Sequence, residues 1–245
     1  MLTIVVAAYN EERHIAATLS KIVAATHNAN ITDWEIIVCN DGSMDKTSLI
    51  VKKLCKENPR IHLKDFKNNQ GVGAVFNSVL QDATSDKITC LPGDNSISLM
   101  SITKLFLASK KHHFVTSTIS NQKIRPNFRR FISKLYTSIW RTVFNLKNIN
   151  YINGSCIYPV SEAKKAGIIS RRFAFSAELT SKLIIAGVPN FEISLQIESA
   201  SRISSVFSWH TVIDIIYALV ACLGYYCNCL KGKRKIFQKR VFEKN

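Results

Sequence analysis

The chain is poor in the residues that break or staple a fold. Glycine occurs nine times and proline five times in 245 residues, which excludes a collagenous or low-complexity chain. The seven cysteines form no Cys-x-x-Cys pair, and several lie in apolar runs where a thiol behaves as a small hydrophobe. A reducing, cytosolic setting suits them. No basic segment precedes the apolar run Leu2 to Ala8 and no small-residue cleavage site follows it, so a secretory signal is not expected. Acid is also missing where base is plentiful. Between Asp94 and Glu162 there is no Asp or Glu, while ten Lys or Arg fall there, in a chain of net charge +16. Such a balance calls for polyanionic partners, and this stretch is expected to face phosphate. The basic residues lack the interleaved aromatics on which nucleic-acid bases stack, so no nucleic acid is expected as a partner.

What is present reads as one large α/β domain. Hydrophobic residues make up 47% and charged residues 20%, enough to bury a full core. Leu2 to Ala8 is a β-branched apolar run followed by a helical pattern through Ile15, Leu19, Ile22 and Val23. The cycle repeats with Glu35 to Cys39, the turn Asn40-Asp41-Gly42-Ser43 and a helix carrying Leu49, Ile50 and Leu54. It recurs with Ile61 to Lys64 before a helix over 71–83, and with Lys87 to Leu91 before Pro92-Gly93-Asp94-Asn95. This alternation predicts a mostly parallel sheet with helices on both faces, whose ligands bind outside the carboxyl ends of the strands. The four polar turns that follow these strands, Tyr9 to Glu12, Asn40 to Ser43, the stretch at Asn69-Gln70 and Pro92 to Asn95, belong to that rim. Beyond Asn95 the pattern predicts a helix over 98–108, a strand over 114–117, an amphipathic basic segment over 126–144, helices over 161–166 and 176–186, and a strand over 190–197.

Val6-Ala7-Ala8-Tyr9-Asn10-Glu11-Glu12 and Val38-Cys39-Asn40-Asp41-Gly42-Ser43-Met44-Asp45 together resemble the opening motifs of the family 2 glycosyltransferases of GT-A, Rossmann-like fold. Within that family the chain is similar to the group related to polyprenyl-phosphate sugar synthases, from Ile4 to about Ser205. The resemblance implies a nucleotide-sugar site formed by Ala8, Tyr9, Asn10 and Glu12, with Asp41 on the nucleobase and Asn69, Gly71, Gly93 and Asp94 beside the donor. Gly71-Val72-Gly73 lacks the third glycine of a dinucleotide fingerprint, and Gly73 is expected to serve close packing. Pro92-Gly93-Asp94 stands where the family carries Asp-x-Asp, leaving Asp94 alone to hold Mg²⁺ or Mn²⁺. Ser176 replaces a family Asp in Phe173-Ala174-Phe175-Ser176-Ala177-Glu178, so Glu178 is the carboxylate left for a catalytic role. A lipid phosphate is already a nucleophile and needs no base, so the missing Asp favours a phosphate acceptor. Arg202 resembles the Arg of a terminal Arg-x-x-x-Ser element and is expected to act catalytically on phosphate, as Arg125, Arg129 and Arg130 are expected to meet the acceptor.

Three segments follow from this: a glycosyltransferase domain over 1–205, an apolar helix over 206–230 and a basic tail over 231–245. Thr211 to Leu230 is long enough to span a bilayer, interrupted mainly by Asp214 and Asn228. A span would place Lys231 to Lys235 outside, against the positive-inside bias, so an interfacial or re-entrant helix on an anionic, cytoplasmic membrane face is expected. A single-pass anchor and a helix that completes a homo-oligomer stay open. The expected reaction is transfer of a sugar, with inversion, from a nucleotide-sugar to a polyprenyl phosphate or lipid-linked saccharide. The rival is a catalytically silent nucleotide-sugar-binding or scaffold protein.

Overall fold

The computed structural model describes residues 1–146, 149–198 and 209–242. Four strands, β1 (Leu2–Ala8), β2 (Trp34–Asp41), β3 (Ile61–Phe66) and β4 (Lys87–Pro92), alternate with helices α1 (Ile15–Asn28), α2 (Thr47–Glu57) and α3 (Val72–Asp82). They pair in parallel in the order β3-β2-β1-β4. Then come α4 (Leu99–Lys111), β5 (Val115–Ile119), a 3-10 turn Gln122–Ile124, α5 (Asn127–Phe144), β6 (Ile157–Pro159), α6 (Val160–Ala166), α7 (Ala174–Ile185), β7 (Phe191–Leu195) and α8 (Trp209–Phe242). The strands form one seven-stranded sheet ordered β3-β2-β1-β4-β6-β5-β7. Only β6 runs against its neighbours, pairing antiparallel with β4 and β5, while β5 and β7 are parallel. The mostly parallel sheet expected from the sequence is therefore present, with one reversed strand that no periodicity announced.

Both faces of the sheet are covered, which is why the strands read as continuous apolar runs. Ile4 and Val6 of β1 face a core with Ile36 and Val38, closed by Leu19 and Ile22 of α1 and by Leu105 and Phe106 of α4. Val5 points the other way, into a core with Val75, Phe76 and Val79 of α3 and Leu179 and Leu183 of α7. A third cluster lies outside α7, where Trp140 and Phe144 of α5 meet Ala177 and the Ala218 and Cys222 of α8. Helix α8 runs unbroken through position 230, where an apolar helix was expected to give way to a tail.

Candidate active site

Strands β1 to β4 end together at Ala8, Asp41, Phe66 and Pro92, so the loops after them share one rim. The first two loops are tied to each other by reciprocal hydrogen bonds. The Asn10 N–H donates to Ser43 Oγ at 2.9 Å and the Met44 N–H donates to Asn10 Oδ1 at 2.9 Å. The Glu12 N–H donates to Asp45 Oδ2 at 3.0 Å, and Glu12 Oε2 accepts the Lys46 N–H at 3.0 Å. Asn10 takes a left-handed φ of 56°, a conformation Asn tolerates through local hydrogen bonding. Asn10 and Glu12 thus spend side-chain acceptors on the loop pair, while Tyr9 lies half exposed beyond buried Ala8.

Asp41 is buried at the end of β2 and shapes the next loop. Its Oδ1 accepts the Gln70 N–H at 2.6 Å and its Oδ2 the Gly71 N–H at 2.9 Å. A base N–H can reach this carboxylate only through the lone pairs that remain. Asn69 is exposed on the same loop. Gly71 has φ 93°, and a Cβ there would lie 2.4 Å from the Arg171 carbonyl; a Cβ on Gly73 would lie 2.4 Å from the Ser170 carbonyl. Gly73 is therefore the close-packing residue expected of it, and Gly71 also packs on protein backbone.

The turn after β4 begins with Gly93, whose N–H donates to the Ala7 carbonyl at 2.9 Å and whose carbonyl accepts the Thr18 hydroxyl at 2.9 Å. Asp94 then stands at the rim, one oxygen accepting the Ser96 N–H at 3.1 Å. Beside it the Asn95 Oδ1 is buried without a hydrogen-bond partner. Because β5 is parallel to β4, the chain leaves β5 on this same rim and brings the basic segment with it. Arg125 Nη1 donates to the Tyr151 hydroxyl at 3.0 Å, and its guanidinium lies 5.9 Å from the centre of that ring. Burial and the neighbouring Arg125 hold the Arg129 guanidinium below its ordinary value, with Tyr151 and Asp94 pulling the other way. Arg130 Nη1 donates to Asn127 Oδ1 in the first turn of α5. The Nε groups of Arg125 and Arg130 are both buried without a protein acceptor, a state that suits an anion. Tyr151 carried no motif and was not anticipated.

One expectation is corrected. Glu178 is 0% exposed, accepts N–H groups of Ile169 and Ser170 and the Ser170 hydroxyl, and pairs at 2.6 Å with Lys182, itself 4% exposed. A carboxylate so enclosed is an internal tie between α7 and the loop before it, with no path to an acceptor hydroxyl. Ser176 is also internal, with its Oγ 3.1 Å from the Tyr158 hydroxyl. Arg202 lies outside the described residues. Among the described residues no group of three His, Cys, Asp or Glu could hold a metal. Asp94 remains a fitting single carboxylate for a cation that takes its other ligands from diphosphate and water, with the orphaned Asn95 oxygen beside it. A concavity of about 790 Å³ opens at the amino ends of the strands, between Asp86, His113, Glu162 and Asn190, on the opposite edge from these residues.

The family model described as glycosyl transferase family 2 matches residues 3–163, about two thirds of the chain. A dolichyl-phosphate β-glucosyltransferase, ALG5A, from Trichomonas vaginalis is 28% identical over 144 residues, covering 54% of this chain and 45% of the relative. A poly-β-1,6-N-acetyl-D-glucosamine synthase from Staphylococcus aureus is 33% identical over 96 residues, 39% of this chain and 22% of the relative. The chain spans less than half the length of either. Among solved structures, glucosyl-3-phosphoglycerate synthase from Mycobacterium tuberculosis in complex with UDP superposes with a TM-score of 0.69 at 14% identity, over 91% of this chain and 80% of that one. The same enzyme with Mn²⁺, UDP-glucose and phosphoglyceric acid gives 0.66 at 12% identity, over 91% and 80%. These likenesses establish the GT-A-type fold.

Proposed function

The chain belongs to glycosyl transferase family 2, and from that membership we propose that it moves a sugar, with inversion, from a nucleotide-sugar to a lipid-linked phosphate or saccharide. The observation that carries the reading is the convergence on one rim of the tied β1 and β2 loops, the Asp41-held loop at Gly71, and Asp94 within electrostatic reach of Arg129. Tyr9, Asn69 and the loop around Asp41 would seat the nucleoside. Asp94, set beside β1 by Gly93 packing on Ala7 and Ala8, would hold Mg²⁺ or Mn²⁺, which supplies charge stabilisation to the leaving diphosphate when bound. Arg125, Arg129 and Arg130 would receive acceptor phosphate, and Arg202 is assigned to the same task on resemblance alone. With Glu178 and Ser176 both internal, an acceptor that arrives already ionised is favoured over a hydroxyl. The similarity to a dolichyl-phosphate enzyme supports that class of acceptor.

Helix α8 supports a site at a membrane. Val212–Leu230 is apolar and long enough to cross one, with mean hydropathy 1.6. It packs along α7 through a seam of Asp214, Ala218 and Cys222, four residues apart, while Ile216, Tyr217 and Val220 are exposed. A helix held lengthwise by its own domain suits the interfacial reading, with the domain on the cytoplasmic face. The neighbouring α5 has a second apolar arc, with Phe128 62% and Phe131 63% exposed and Leu135, Ile139 and Val143 exposed on the same side.

The test is mass spectrometry of lipid products after the full chain is incubated with a panel of nucleotide-sugars, Mn²⁺ and polyprenyl-phosphate vesicles. Metal-dependent product formation should fall about 100-fold in Asp94→Ala. The single carboxylate at the metal position favours a second reading, a silent nucleotide-sugar-binding protein. Tight, metal-independent nucleotide binding with no product from any donor would establish that reading in place of the first.

A further inference from the structure

Asp214 is the one acidic residue in the apolar stretch Val212–Leu230. An acid in such a stretch is costly to place in lipid, and its partners explain its presence. It is 7% exposed. Its carboxylate accepts the N–H of Arg171 at 2.8 Å and of Arg172 at 3.2 Å, in the segment leading into α7, and of Ala174 at 3.3 Å, a first-turn N–H with no helical acceptor.

The segment it holds is the wall of the proposed donor loop. The Arg171 carbonyl accepts the Ala74 N–H at 3.0 Å and abuts Gly71 so closely that no Cβ would fit. The Arg171 side chain donates to Gln70 Oε1 at 2.5 Å. Gln70 and Gly71 are in turn the two residues whose N–H groups Asp41 accepts. A continuous set of contacts thus runs from Asp214 through Arg171 to the Gln70-Gly71 peptide and Asp41. The loop is clamped between an acid on β2 and a backbone segment anchored by an acid on α8.

We infer that Asp214 is a positioning residue for the donor site: by fixing the segment 171–174 from the membrane-associated helix, it sets the conformation of the Asn69 to Gly71 loop. The inference rests on the reading of that rim as the nucleotide site. It ties donor affinity to the seating of α8 on α7, because any movement that frees Asp214 from the three N–H groups loosens the wall behind Gly71. Binding nucleotide should reciprocally hold α8 in place.

The full chain, Asp214→Ala and Asp214→Asn are titrated calorimetrically with UDP, GDP, CDP and TDP in Mn²⁺, and the best-bound nucleotide is carried forward. Amide exchange at Gln70 and Gly71 is measured in parallel. Asp214→Ala should weaken nucleotide binding roughly tenfold and speed exchange at both amides. Asp214→Asn, which keeps one acceptor oxygen, should recover part of the loss, and it decides the matter alone where the alanine variant does not fold. Equal affinity in a folded variant, or faster exchange confined to 171–174, overturns the inference while leaving the donor site intact. If the unaltered chain binds none of the four nucleotides, the donor reading itself fails.

Discussion

Asp41, Asp94 and Glu178 are three carboxylates that motif resemblance places in one site, and their surroundings give them different tasks. Asp94 stands at the rim with one oxygen engaged by Ser96. Asp41 braces a loop. Glu178 is sealed inside with Lys182 one helical turn later. The spacing of Glu178 and Lys182 was readable as an i,i+4 pair, but that the pair lies under the 169–170 loop depends on tertiary packing that a single sequence does not state. Breaking it should be expensive. Glu178→Gln leaves a buried ammonium without its counter-charge and should lower unfolding free energy by about 3 kcal/mol, measured by chemical denaturation. A loss under about 0.5 kcal/mol would mean that the pair does not hold the fold.

At the scale of elements, the strands were legible because burial on both faces makes them continuous apolar runs, and the polar turns fell on one rim because parallel strands end together. What could not be read was which loops hold one another. The Glu12 N–H on Asp45 and the Lys46 N–H on Glu12 join the β1 and β2 loops, and the first of these depends on pH. Partial burial pushes the Asp45 carboxyl up, but the hydroxyl and N–H of Thr47 and the N–H of Glu12 outweigh it and hold it below its ordinary 3.8. The folded form therefore binds its proton less readily than the unfolded form. The contribution is complete above about pH 4 and is lost as pH falls through the lower folded value. Protection of the Glu12 and Thr47 amides, taken as exchange relative to the free-peptide rate at each pH, should hold down to about pH 4 and decline below it in the wild type, and be low throughout in Asp45→Ala. Composition also hides the length of α8: Lys231-Gly232-Lys233-Arg234-Lys235 is basic where the preceding stretch is apolar, yet the backbone continues as helix through it.

At the scale of the whole molecule, α5 and α8 flank one cluster on the outer side of α7 and each keeps an apolar arc outward. On α5 that arc is bordered by the exposed cations Lys134 and Arg141, and the helix contains no acid. This is the pattern of a helix lying in an anionic interface. The triple variant Phe128→Ser, Phe131→Ser, Leu135→Ser should reduce partition into anionic vesicles by about tenfold or more in flotation assays. Its melting temperature should fall far less than the flotation does, because about half or more of each side chain is exposed. Unchanged flotation would mean that the outer arc of α5 does not meet lipid. The amphipathic character of α5 was visible in the sequence; that its inner arc is spent on Trp140 and Phe144 and its outer arc left over was not.

Strand β6 has one more effect, on the order of assembly. It lies between β4 and β5 although it is made after both, and it joins the two halves of the sheet through three residues opposite β4 and a single pair, Val115 with Ile157, opposite β5. On the ribosome, β1 to β4 can pair as they emerge. β5 then waits, its neighbours unmade, on the order of a few seconds at ordinary rates of synthesis. During that wait the open edge of β4 and the whole of α5 are exposed together. Early membrane capture of α5 would remove one of these two hazards before the sheet is closed.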